Sequence, residues 1–191
     1  MTTARALQPS DNPLDHAPLY WRQIMVLLLA LLLAALDGYD ALSMAFVAPV
    51  LGHAWGIGKG VIGLLLSSSL VGMAIGAIGL SPLADRLGRR SVVLGALAIM
   101  TCGTLLSALA GSVPFLAAAR LLTGIGIGAM VAMTTLISAE FSNAQRRPLA
   151  VAAVATIGLP LGGVIGGLGA SAILKAATWH WVFFGGSIAG V

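Results

Sequence analysis

Long apolar runs separated by short polar or charged segments are the main pattern along this chain. A helix needs about twenty mostly apolar residues to cross the hydrocarbon layer of a bilayer. The runs predict five complete spanning helices, at about 22–51, 60–80, 91–110, 112–139 and 148–174, and a sixth at 179–191. Thirteen helical residues cover less than about 20 Å of a core about 30 Å thick, so we expect the sixth helix to be incomplete.

The composition of the chain, like its apolar runs, indicates a membrane protein. The chain is 59% hydrophobic and 8% charged, whereas a soluble domain carries about 25% charged residues. We therefore expect an all-α polytopic membrane protein whose solvent is the lipid bilayer. The single cysteine, Cys102, lies within an apolar run, so we expect no disulfide, no metal site and no cofactor.

Basic residues predict the orientation of the helices in the membrane. The polar segment 1–19, which contains Pro9 and Pro13, is expected to be a disordered cytoplasmic tail, and Tyr20 and Trp21 to mark the headgroup level. With the tail inside, seven basic residues fall on the cytoplasmic side: Arg5, Arg22, Arg86, Arg89, Arg90, Arg146 and Arg147. Lys59 and Lys175 fall outside. This asymmetry explains the net charge of +4 and makes nucleic acid a poor candidate for a partner.

Three charged residues fall inside the predicted spans. Asp37 and Asp40 share the first span, three residues apart and hence at neighbouring positions of one helical face, and Arg120 lies in the fourth. Charges at this depth are costly and point to function. A static ion pair that fixes helix register is one interpretation. The other is proton coupling, because one arginine cannot neutralise two acids and one carboxylate is left to bind a proton.

Two residues are candidates for contact with a substrate. Arg120 offers a planar fork of donors that matches a carboxylate. Tyr39, between the two aspartates, could stack on a substrate ring or could simply pack against helices and lipid. Glu140, at the cytoplasmic end of the fourth span, is either a lone interfacial acid or the partner of a loop arginine.

Small residues recur every four positions in two spans. Gly72 and Gly76 do so in the second span, and Gly158, Gly162 and Gly166 in the fifth. Such stripes allow helix backbones to approach closely. They are equally compatible with static packing and with faces that slide during a transport cycle.

Four segments resemble known motifs. Ser81-Pro-Leu-Ala-Asp-Arg-Leu-Gly-Arg-Arg90, between the second and third spans, resembles the signature loop of the major facilitator superfamily, although Ser81 stands where the family usually has glycine. Arg120-Leu-Leu-Thr-Gly-Ile-Gly-Ile-Gly128 looks like its fourth-helix motif, and Gly158-Leu-Pro-Leu-Gly-Gly163 like its fifth helix. Asp37-Gly-Tyr-Asp40 resembles the aromatic acid:proton symporter branch.

The resemblance implies the N-terminal six-helix half of a twelve-helix carrier, which would work with a C-terminal half of the same size. It implies a cytoplasmic latch against that half, formed by Asp85, Arg86, Gly88, Arg89 and Arg90. It also implies helix-packing positions at Gly124, Gly126, Gly128, Gly158, Pro160 and Gly162.

We therefore expect a proton-coupled symporter of a small aromatic carboxylate in a bacterial inner membrane. Asp37 and Asp40 would carry or couple the proton, Arg120 would bind the substrate anion, and Tyr39 would contact the substrate ring. Two alternatives stay open: a truncated fragment that does not transport, and a superfamily carrier for another organic anion, a sugar or a drug. An enzyme is not expected, since no nucleophile, base or metal ligands share one depth.

Overall fold

A computed structural model describes residues 21–80, 82–142, 147–176 and 178–190. For Asp85, Ala176 and Ala189 it describes the backbone but not the side chain. The predicted tail at 1–19, Tyr20 and Arg146 lie outside the described residues.

The described chain is almost entirely helical. Its elements are α1 (Trp21–Trp55), α2 (Lys59–Leu80), α3 (Leu83–Leu87), α4 (Arg89–Ala108), α5 (Val113–Glu140), α6 (Arg147–Ala153), a π turn (Val154–Gly158), α7 (Leu159–Ala176) and α8 (His180–Ala189). Five stretches are long and apolar enough to cross a membrane: α1, α2, α4, α5, and the continuous path through α6, the π turn and α7. We refer to that path as the fifth span.

Two glycines lie at helix boundaries that differ from the predicted ones. Gly56 adopts φ 62°, and α1 continues up to it, four residues beyond the predicted end at Leu51. Gly88 adopts φ 82° between α3 and α4, so α4 begins at Arg89 and not at Ser91. A side chain with a Cβ rarely adopts these angles. The short helix α3 was not predicted because it has no apolar run of its own.

Helix α5 is the centre of the bundle and packs against α2, α4 and α1. Glycines bring its backbone into contact with its neighbours. A Cβ added at any of the following positions would collide with backbone of the facing helix: Gly72 and Gly76 on α2, and Gly124, Gly126 and Gly128 on α5. In lipid, burial of apolar surface contributes little to helix association, so helices associate through close contact of their backbones at small residues.

The fifth span packs along α1 in the same way. Gly158 faces Ala34, Gly162 faces the backbone of Ala35, and Gly166 faces the ring of Tyr39. In return, Gly38 of α1 lies against the backbone of Leu159. The stripe thus packs within the bundle, and whether the faces also slide stays open.

Pro160 explains the π turn that interrupts the fifth span. Proline has no N–H and its ring collides with the carbonyl four residues earlier, here that of Thr156, so a regular α-helical turn cannot form there. The chain widens into a π turn at Val154–Gly158 instead. Pro160 itself is exposed on α7, so its effect on packing is exerted through the backbone.

Large apolar side chains cover the outside of the bundle. Ile78 is 78% exposed, Leu149 75% and Leu168 69%. Such a surface would aggregate in water, but it suits a protein that is solvated by lipid or covered by further helices.

We predict that Gly72→Ala lowers the free energy of unfolding by about 1–3 kcal/mol, because the added methyl group would push α2 away from α5. Gly95→Ala is the matched control, since a Cβ at Gly95 on α4 meets no atom within 4 Å. That variant should be unchanged or gain up to about 1 kcal/mol from helix propensity. Denaturant unfolding of the purified protein in detergent measures both values. Equal stability of the two variants would show that the α2–α5 crossing is not tight.

Candidate functional site

The three charged residues predicted inside the membrane are all buried. Arg120 is 0% exposed, Asp37 1% and Asp40 2%. Both acids lie on α1 and the arginine on α5, and these helices are neighbours. The structure therefore brings the predicted charges into one region of the bundle.

Arg120 is held by hydroxyl and carbonyl oxygens from two other helices. Its Nε and Nη2 donate to Ser107 Oγ on α4, at 3.1 and 3.0 Å. Its Nη1 donates to Ser43 Oγ at 3.2 Å and to the main-chain carbonyl of Asp40 at 3.4 Å, both on α1. The guanidinium carbon also lies 4.7 Å from the ring centre of Phe183 on α8, a cation–π distance. We call Ser43, Ser107, Asp40 and Phe183 the arginine cradle.

The ion pair that was one interpretation of these charges is absent among the described residues, since neither aspartate carboxylate lies within 4.0 Å of the Arg120 guanidinium. The guanidinium contacts the Asp40 carbonyl, and the Asp40 carboxylate instead accepts a hydrogen bond from Thr104 of α4, with 3.2 Å between Oγ1 and Oδ1. A substrate-binding role for Arg120 stays a prediction. Because Arg120 is buried, its guanidinium would have to break one of its contacts in the arginine cradle before it could bind a substrate.

Asp37 lies in a different environment from Asp40. It faces a small cavity of about 80 Å³ between α1, α5 and the π turn. The other lining residues are Ala34, Val131, Thr134, Thr135, Val154, Ala155 and Leu159. Neither carboxylate oxygen of Asp37 has a hydrogen-bond partner among the described protein groups. The two aspartates therefore share a helical face but not a set of partners.

Tyr39 packs against α7 and α8, and its ring and the Asp40 carboxylate both lie against Gly186. Its hydroxyl donates to the carbonyl of Val182 at 2.5 Å, and its ring lies against Gly166 and Gly186. The ring also lines an open groove of about 410 Å³ whose walls are apolar, with Leu36 and Ile165 among them. The side chain thus packs between helices and is also part of a surface that an apolar ring could reach.

The predicted latch residues lie together at one end of the bundle. Arg86 and Arg90 are exposed, Gly88 supplies the turn described above, and the side chain of Asp85 lies outside the described residues. Arg89 forms an ion pair with Glu140, which ties the start of α4 to the end of α5. Of the two interpretations of Glu140, the structure supports pairing with an arginine.

Sequence reasoning missed the hydroxyl residues that surround the charges. Thr104 and Ser107 lie three residues apart in an otherwise apolar span, and Ser43 lies three residues after Asp40. That spacing placed each on the same helical face as its neighbour. The signal was present but weak, because serine and threonine also occur in spanning helices as simple packing residues.

Comparisons with known proteins agree with the fold and with the motifs. A family profile described as Major Facilitator Superfamily matches residues 26–191. The 4-hydroxybenzoate transporter PcaK of Pseudomonas putida is 37% identical over 167 residues, which are 87% of this chain and 37% of that protein. The gallate transporter of Pseudomonas putida is 34% identical over 186 residues, 94% of this chain and 41% of that protein.

Solved structures show the same helix arrangement. The xylose transporter XylE from E. coli, in a partially occluded inward open conformation, superposes with a TM-score of 0.79 at 20% sequence identity. The match covers 88% of this chain and 47% of that one. This chain spans about two fifths of the length of the curated relatives it matches.

We predict that Ser107→Ala lowers the free energy of unfolding by about 1–3 kcal/mol, because two N–H groups of a buried guanidinium lose their acceptor. Ser171→Ala on α7 is the control. Ser171 is exposed, and its hydroxyl donates only to the carbonyl of Leu168 on its own helix, so this change should stay within about 0.5 kcal/mol. The same detergent unfolding assay measures both. If Ser107→Ala and Ser171→Ala both leave the free energy of unfolding unchanged, the cradle does not stabilise Arg120.

Proposed function

This chain belongs to the major facilitator superfamily, and from that membership we propose that the protein is a proton-coupled symporter that carries a small aromatic carboxylate into the cell. The observation that carries the proposal is the pair of buried acids on α1 next to a buried arginine on α5. Alternating access would come from rocking of this helix bundle against a second one. No covalent chemistry is part of the proposal.

The names of the relatives support the substrate class. Two of them transport 4-hydroxybenzoate and gallate, and a relative from Corynebacterium glutamicum, 29% identical over 163 residues, is a gentisate transporter. All three substrates are benzoic acids with ring hydroxyl groups. The carboxylate of such an anion matches the guanidinium of Arg120, and its ring matches the apolar groove beside Tyr39, which Arg120 does not line.

We assign a separate role to each side chain in this cycle. Asp37 and Asp40 carry or couple the proton. Arg120 binds the substrate carboxylate through Nη1, because the two contacts of that nitrogen are the longest that the guanidinium makes. Its two bonds to Ser107 would stay in place and keep the fork oriented. Tyr39 would offer its ring to the ring of the substrate.

The loop before α4 would act as a cytoplasmic latch. Arg86, Arg89 and Arg90, with Asp85 and Gly88, would contact the second helix bundle in the outward-facing state. Arg89 already pairs with Glu140, so the latch would be tied to α5, the helix that carries Arg120. A conformational signal could then pass from the loop to the site along one helix.

Uptake of radiolabelled 4-hydroxybenzoate tests the function. Cells that express the full-length gene should accumulate the acid, and a protonophore should abolish accumulation. Asp40→Asn should reduce it by roughly tenfold or more, since a neutral amide can neither exchange a proton nor replace the negative charge beside Arg120. A xylose uptake assay is the control for substrate class. Cells that take up xylose but none of the aromatic acids would replace this proposal with a sugar carrier, and unchanged uptake by Asp40→Asn would remove Asp40 from the site.

We further propose that the protein lies in a bacterial inner membrane with its N-terminus in the cytoplasm. The excess of arginine at one end of the bundle supports this orientation. Lys59→Cys at the start of α2 should therefore react with a membrane-impermeant maleimide in intact cells. Arg147→Cys at the start of α6 should react only after the cells are permeabilised. The opposite labelling pattern would reverse the orientation.

A further inference from the structure

The cavity beside Asp37 has a chemical property that the proposed function does not use. Its polar side chains are Asp37 of α1 and two threonines of α5, Thr134 and Thr135. A volume of about 80 Å³ exceeds the 10–15 Å³ or so that one water needs. The carboxyl group faces this space and is 1% exposed.

Each of the two threonine hydroxyls already donates its proton to main-chain carbonyls of its own helix. Thr134 Oγ1 donates to the carbonyls of Met130 and Val131 at 3.0 and 3.1 Å, and Thr135 Oγ1 donates to Val131 at 2.7 Å. A hydroxyl has one proton to donate and two lone pairs to accept with. Towards the cavity, both threonines are therefore acceptors.

An acceptor-only cavity favours a protonated carboxyl over a carboxylate. A carboxylate offers no donor, so it cannot form hydrogen bonds with these hydroxyls, whereas a protonated carboxyl can donate its O–H to one of them or to a bridging water. An ionised carboxylate that is buried without donors loses its hydration and regains little. Asp40 differs in its charge environment, because the Arg120 guanidinium contacts its main-chain carbonyl, and a positive charge this close favours the ionised carboxylate. The Thr104 hydroxyl does not distinguish the two acids, since it also donates to the carbonyl of Met100 at 2.9 Å.

The surrounding charges do not change this preference. On α1 the nearest is Asp40, a like charge that also favours a neutral Asp37. On α5 the cavity is lined by Val131, Thr134 and Thr135, and the cation of that helix, Arg120, is held by Ser43 and Ser107. The fifth span contributes Val154, Ala155 and Leu159, none of which titrates.

The π turn forms one wall of the cavity. Val154 and Ala155 belong to the π turn and line the cavity, while Leu159, just beyond it, lies against Gly38, the neighbour of Asp37. A displacement of the fifth span along α1 would therefore change the space around the carboxyl group directly. Single π turns in helices are frequently found at functional sites.

We propose that Asp37, and not Asp40, holds the exchangeable proton, as a neutral carboxyl group that donates to Thr134, Thr135 or water in this cavity. Asp40 stays ionised beside the positive charge of Arg120. The description of this proton as the coupled one rests on the proposed function. The protonation of Asp37 does not, and it can be measured without any substrate.

Infrared difference spectroscopy of the purified full-length protein tests the assignment. Between acidic and alkaline buffer, the wild type should show reversible loss of the carbonyl stretch of a protonated carboxyl group. The signal should disappear in Asp37→Asn and persist in Asp40→Asn, its matched control. A signal that persists in Asp37→Asn but disappears in Asp40→Asn, or a wild type without any titrating carboxyl signal, would overturn the proposal.

Carbodiimide labelling of the wild type gives a second readout that does not depend on the folding of a variant. A lipid-soluble carbodiimide adds across its C=N bond to a protonated carboxyl in an apolar site, and mass spectrometry locates the adduct. We expect at least about tenfold more label on Asp37 than on Asp40, the ratio for a difference of about 1.4 kcal/mol in protonation. Preferential labelling of Asp40 would overturn the proposal. Absence of 4-hydroxybenzoate uptake alongside a labelled Asp37 would instead count against the proposed function.

Discussion

The positive charge of Arg120 has to be solvated by protein, because the guanidinium is always protonated and no part of it is exposed. Its partners come from α1, α4 and α8, while the arginine itself is on α5. A buried charge without partners would cost several kcal/mol. The positions of four helices are therefore linked through a single side chain, and the nearby sites at Asp40 and Thr104 depend on that arrangement.

Small residues make this arrangement sterically attainable. Gly103 lies one helical turn before Ser107 on α4, and a Cβ there would collide with Thr123, which lies three residues after Arg120 on α5. The two backbones can approach closely at this point because glycine has no side chain. As a result, the short side chain of Ser107 reaches the guanidinium at 3.0 Å. The close packing of α4 and α5 is thus what allows the hydrogen bonds between Arg120 and Ser107.

The sequence predicted the helical spans and the burial of the three charges, because apolar length and the cost of charge in lipid are local properties. The partners of those charges depend on how each helix is rotated. Asp37 and Asp40 differ by about 60° around α1, since three residues turn an α-helix by about 300°. That offset is enough to place one acid next to the Arg120 guanidinium and the other next to a cavity, and apolar patterning does not encode it. Pro160 was the only local sign of the π turn.

The π turn also bears on how the fifth span can change through mutation. Positions 154, 158, 162 and 166 recur every four residues, and in a continuous α-helix each step of four overshoots a full turn by about 40°. A turn that holds extra residues absorbs part of this drift, which helps the stripe to stay on α1. Deletion of Thr156 or Ile157, which belong to the π turn but do not line the cavity, would remove the extra residue of that turn and rotate α6 relative to α7, with Pro160 then kinking the helix. A single-codon deletion could thus reshape the wall beside Asp37 while every lining residue is kept. An alignment of this helix with a relative that has no π turn therefore needs a one-residue gap.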